Sequence, residues 1–128
     1  MFEQDYIMRL IRELVRAVCK LIFHIDTETP GLELFDAERE QEQREALEGI
    51  IRLADQGRIN EAENLLFEWP GDGNQETLKM ALVFYAHLNE KTDAFLAEHD
   101  FSREEIRDGL HEVMSRYGLE SLSETFED

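Results

Sequence analysis

The chain has 128 residues, 42% of them hydrophobic and 34% charged, with a formal net charge of −17. A chain of that length forms one domain with a real core, and its acidity repels phosphate backbones and anionic membranes, so nucleic acid is excluded as the expected partner. Cys19 is the single cysteine, so no internal disulfide forms and a reducing, cytoplasmic setting is the simple expectation.

The first predicted helix runs from about Glu3 to Ile25. Its opening lacks the basic start of a secretory signal, and its apolar residues are interrupted by Arg9, Arg12, Glu13, Arg16 and Lys20, so it reads as neither signal core nor membrane span. Tyr6, Ile7, Leu10, Ile11, Leu14, Val15, Val18, Leu21, Ile22 and Ile25 recur at three- and four-residue steps. At about 100° per residue they cover roughly half the circumference, more than a surface helix needs. That width suggests burial on two sides, one against the domain and one against a partner.

Pro30-Gly31 marks a turn, and Leu32, Leu34 and Phe35 are expected to plug the connection into the core. A second helix is expected from Asp36 to Gly57, polar over Asp36–Glu45 and apolar from Ala46. A third, from about Asn60 to Trp69, is broken by Pro70-Gly71-Asp72-Gly73. The fourth opens at Asn74 or Gln75 and runs to about Leu88. Apolar residues surround most of it, which makes it the expected central helix. A short fifth spans Thr92–Glu98. The last strong helix starts at Ser102, where Ser102-Arg103-Glu104-Glu105 reads as a capping box, and stops at Gly118. The tail 119–128, with Leu122 and Phe126 among acids and serines, is expected to dock weakly or stay flexible. No segment alternates with period two. The fold class is all-α: one domain of five to six helices, comprising an N-terminal amphipathic helix (1–25), a helical array (36–118) and the tail.

Leu53-Ala-Asp-Gln-Gly-Arg-Ile-Asn-Glu-Ala-Glu-Asn-Leu-Leu66 resembles the turn of a tetratricopeptide-type hairpin, with Gly57 in the turn and Ile59, Ala62 and Leu66 facing the preceding helix. It covers one hairpin, with no second copy at about 34 residues, and Pro70 comes too early for that family's late proline. Gln4-Asp5-Tyr6-Ile7-Met8-Arg9-Leu10-Ile11, followed by Leu14-Val15-Arg16 and Leu21-Ile22-Phe23, resembles a family of small bacterial helical proteins known only as a domain of unknown function. The resemblance implies a bacterial cytoplasmic protein and transfers no catalytic residue.

Charge is unevenly distributed. Residues 1–24 carry Arg9, Arg12, Arg16 and Lys20 against Glu3, Asp5 and Glu13, net +1, which leaves −18 on the other 104. The four basic side chains share an arc of about 80° opposite the apolar half. They suit an acidic surface on a partner or on a second copy. The blander reading is a solvated face with neighbour pairs such as Glu13 with Arg9 or Arg16.

His24, His87, His99 and His111 are scattered. Glu104, Asp108 and His111 share a helix face, but that face is opposite the apolar stripe and lacks outer-shell support for a metal. Asp72-Gly73-Asn74 lacks the later ligands of a calcium loop, and Gly71-x-Gly73 lacks the lysine and strand of a phosphate loop. Cys19 reads as a small core residue. No catalytic, cofactor-binding or metal-binding residue stands out, and no cofactor is expected. Phe23, Phe67 and Trp69 are candidate aromatic anchors for a partner, but covering by the Leu32–Phe35 loop or the tail is the favoured expectation.

These features point to a protein–protein interaction or scaffold protein that binds another protein or itself through the first helix. Arg9, Arg12, Arg16, Lys20, Leu10, Leu14 and Phe23 are the candidate surface. The alternatives are a small enzyme or ligand-binding domain with an unrecognised pocket, and a peripheral membrane adaptor using the same helix.

Overall fold

The computed structural model describes residues 2–70 and 74–125; the expectations for Gly71–Gly73 and Phe126 fall outside them. The fold is all-α, with seven α-helices and one 3₁₀ turn among the described residues, one more helix than the upper expectation. The added helix is α7, Glu120–Thr125, formed by the segment expected to be a loose tail. It is held because Leu119 and Leu122 pack on the core and Ser123 is buried.

Helix α1 spans Phe2–Phe23. It stops two residues before the expected Ile25 because His24 turns left-handed (φ 59°), and the Ile25 N–H reaches back to the Cys19 carbonyl at 3.2 Å. The same closure follows the short helix α5 (Asp93–Glu98), where Asp100 turns left-handed (φ 55°) and the Phe101 N–H reaches the Leu96 carbonyl. Glycine is the usual residue at such a cap.

A strap, residues 24–40, crosses from α1 to α2. Phe35 and Pro30 are buried, and Leu32–Leu34 forms the 3₁₀ turn. Helix α2 begins at Gln41, five residues later than expected from Asp36. The cause is local. The Asp36 carboxylate accepts from the backbone N–H of Glu38 and Arg39, and the Asp36 N–H donates to the Glu40 carboxylate. These bonds offer the backbone a turn in place of a helix. Lys79 of α4 then holds Glu40 at 2.9 Å and donates to the Leu34 carbonyl, while its ammonium lies over the Phe35 ring.

Helix α2 (Gln41–Asp55) buries Leu47, Ile50 and Ala54, and α3 (Ile59–Glu68) packs on it through Ile59, Ala62 and Leu66. Gly57 joins them with φ 88°, and a Cβ there would run into the His99 ring. Helix α4 (Gln75–Asn89) is capped by Asn74, whose side chain accepts from Glu76 and Thr77. It is the central helix, with every residue from Met80 to Ala86 buried. Helices α1, α2 and α6 surround it. After α5 (Asp93–Glu98), α6 (Arg103–Arg116) starts at Ser102, whose hydroxyl accepts the Glu105 N–H at 3.2 Å. Gly109 lets α6 approach α4, because a Cβ there would strike the hydroxyl end of Tyr85.

Candidate interaction surface

Helix α1 sits against α4 and α6, and that seating divides its apolar half. Ile7, Ile11, Leu14, Val15, Val18 and Cys19 are buried inside the domain. Leu14, at 2% exposure, therefore belongs to the core and not to a free surface. What remains outside is one edge: Tyr6 at 44% and Leu21 at 58% exposure, with Leu10 and Ala17 half-buried between them. Leu65 on α3, at 46%, is the other large apolar side chain so exposed among the described residues. Beside Leu21 lies a shallow open groove of about 490 Å³, lined by Ala17, Lys20, Leu21, His24 and Leu122 of α7.

The basic stripe is divided too. Arg12 forms a two-pronged pair with Glu90 at the end of α4, at 2.8 and 2.9 Å. That hydrogen bond, together with the Glu90 and Glu28 charges, outweighs the effect of burial and raises the Arg12 pKa. Arg16 pairs with Asp26 of the strap at 2.6 Å, and its guanidinium holds the Asp26 carboxyl below its ordinary value. These two arginines pin the strap and the end of α4 to α1. Arg9, Lys20 and Glu13 are exposed and make no ion pair among the described residues, so the expected neighbour pairs of Glu13 with Arg9 or Arg16 do not form. Phe23 is half-buried against the core, with the Lys79 ammonium of α4 5.9 Å from its ring, so it is only partly available as an anchor.

A second hollow was invisible in the sequence. Strap residues Thr29–Leu32 and Ile51 of α2 face Val83, Ala86 and His87 of α4, and Glu90 just past its end, across an open cleft of about 360 Å³. Its walls are largely apolar. At its rim the Asp55 carboxylate receives His87 Nε2 and Lys91 Nζ, each at 2.6 Å. Burial alone would raise the pKa of Asp55, but those two hydrogen bonds and their charges outweigh it and hold the group below the ordinary carboxylate value. The cleft joins three separate stretches of chain, none with a motif of its own. The hollow between α3, α4 and α6, at about 20 Å³, has room for one water.

Burial pushes the Cys19 thiol up to about 11, so it stays protonated at neutral pH and is a poor nucleophile. Among the described residues no group of three or more His, Cys, Asp or Glu is placed to hold a metal ion, and no helix is long and apolar enough to cross a membrane.

Fold and surfaces together define a small, acidic, all-helical protein with an uncovered apolar edge on its first helix. The chain belongs to a family of unknown function, DUF6483, whose model matches residues 1–118. No curated protein and no solved structure matches it.

Proposed function

We propose that this protein is a protein-binding module and that the outer edge of α1 is its docking surface. The observation that carries the reading is the pair Tyr6 and Leu21. Two of the three large exposed apolar side chains among the described residues lie along one edge of one helix, after that helix has already filled its share of the core. Continuous apolar surface marks contact sites, whereas single exposed side chains are ordinary, and half-buried Leu10 and Ala17 link Tyr6 to Leu21 across about 22 Å of helix. Arg9 and Lys20 flank the edge, on a near-neutral part of a strongly acidic chain. The α2–α3 hairpin, with small Ala62 at its contact, suits a repeat-like scaffold behind this surface.

A photo-crosslinking residue in place of Leu21 tests this in the producing cells, with the same residue in place of Leu65 as the control. A discrete protein adduct from position 21 and none from position 65 is expected. No adduct from 21, or equal adducts from both, overturns the reading.

A further inference from the structure

The outer edge of α1 is complementary to itself when turned end for end. With the helix divided at Arg16, Leu10 lies six residues before it and Leu21 five after, while Glu13 lies three before and Lys20 four after. At about 1.5 Å of rise per residue, each of these two pairs stands at nearly equal heights on either side of the midpoint, matched within about 1.5 Å. The rotations agree as well. Measured from Ala17 at about 100° per residue, Leu10 and Leu21 fall about 20–40° to one side, and Glu13 and Lys20 about 40–60° to the other. A two-fold axis perpendicular to the helix preserves sides while reversing height.

From this symmetry, and resting on the docking reading above, we propose that the occupant of the edge is a second copy of this chain. The two α1 helices cross antiparallel over Ala17. Leu10 of one copy meets Leu21 of the other along one flank, and Glu13 meets Lys20 along the opposite flank, each contact made twice. The small Ala17 side chain lets the helices come close. Arg12 and Arg16 are engaged within their own chain, with Glu90 and Asp26, and stay outside the seam. Among the described residues Glu13 and Lys20 have no ion pair of their own to give up, and their charges are opposite. The near-neutral segment 1–24 also keeps the repulsion between two chains of −17 low at the seam.

The test is sedimentation of the purified full chain over a range of concentrations, with Glu13→Lys, Lys20→Glu, the double swap and Leu21→Glu. All three positions are exposed, so folding is checked by circular dichroism and should not change. The wild type is expected to dimerise. Each single swap sets like charges together twice and should weaken the dimer about ten-fold or more. The double swap should restore it, which a merely structural role for either residue would not produce. Leu21→Glu should give monomers. A wild-type monomer at high concentration overturns the second-copy proposal; if position 21 still crosslinks to a different protein, the docking reading survives. A dimer that ignores Leu21→Glu also overturns the second-copy proposal, and the docking reading then stands or falls on the crosslink from position 21. A dimer broken by Leu21→Glu but not rescued by the double swap overturns the antiparallel register alone.

Discussion

Helix α4 is enclosed by α1, α2 and α6, whereas α1 is enclosed on one side. Both helices are rich in apolar side chains. In α4 the fold consumes them all, from Leu78 to Leu88, and even Asn89 is buried. In α1 the fold takes Ile7, Ile11, Leu14, Val15 and Val18 and leaves Tyr6 and Leu21 in water. The difference separates two demands on sequence. A central helix needs apolar residues all round to exist, so its composition says little about function. A peripheral helix needs a single stripe, so any surplus beyond that stripe requires another explanation.

The strongest way to break this comparison is to show that the two surpluses matter equally to folding. They should not. Phe84→Ala in α4 removes a side chain with no exposed surface and should cost about 3–5 kcal/mol in urea denaturation. Leu21→Glu on the outer edge of α1 should change monomer stability by less than about 0.5 kcal/mol. Leu14→Glu, only seven residues from Leu21 but on the inner face, places a charge in the core and should unfold the chain. Equal losses for Leu14→Glu and Leu21→Glu would mean that the outer edge is structural after all.

A smaller effect is expected where the two helices are tied together. Asn89, the last residue of α4, donates its amide to the Met8 carbonyl of α1 at 3.0 Å. Arg103, buried at the start of α6, donates to the Asn89 and Lys91 carbonyls at 2.9 and 2.8 Å and to Asp93 at 2.9 Å. It thus satisfies carbonyls that the end of α4 would otherwise leave bare. Arg103→Met keeps much of the stem but leaves those acceptors unpaired, at a cost of about 1–3 kcal/mol. Amide exchange should accelerate in the last turn of α4 and in α5 before it does in α2 and α3. Uniform acceleration would show that the clasp does not act locally.

Much of this architecture was legible in the sequence, and the legible parts share a cause. Gly57, Asn74, Thr92, Ser102 and Gly118 announce helix ends because capping is decided within a few residues. The central place of α4 followed from its unbroken apolar run. The strap was not legible. Its turn at Asp36 rests partly on Lys79, and Arg12 finds Glu90 at a separation of 78 residues. No short-range rule anticipates such partners. For the same reason the basic stripe was visible as a stripe, while the engagement of Arg12 and Arg16, and the lack of an ion pair at Arg9 and Lys20 among the described residues, were not. Leu14 and Leu21 looked alike in the sequence because they lie on one apolar arc; only the seating of α1 against α4 and α6 separates them.

The smallest expected effect concerns the one hydroxyl that α4 buries in its middle. Tyr85 donates to the Glu63 carboxylate of α3 at 2.5 Å. Burial raises the Glu63 pKa, the Tyr85 hydrogen bond works against it, and the Glu105 charge adds a further upward push. Burial, then the Glu63 charge, drives the Tyr85 phenol above its ordinary value, so it remains a donor. With the folded value of Glu63 raised, its favourable contribution is complete below the ordinary carboxylate value of about 4.3 and is lost as pH climbs through the folded value. The wild type therefore carries a penalty at neutral pH that it lacks in acid. Glu63→Gln keeps an acceptor for Tyr85 and has no charge to bury. In urea denaturation it should be at least as stable as the wild type at pH 7, with any advantage shrinking toward pH 4. A variant weaker than wild type at pH 7 would show that the charge on Glu63 strengthens its bond to Tyr85 by more than burial costs, and that α4 is held at its centre by a polar contact as well as by apolar packing.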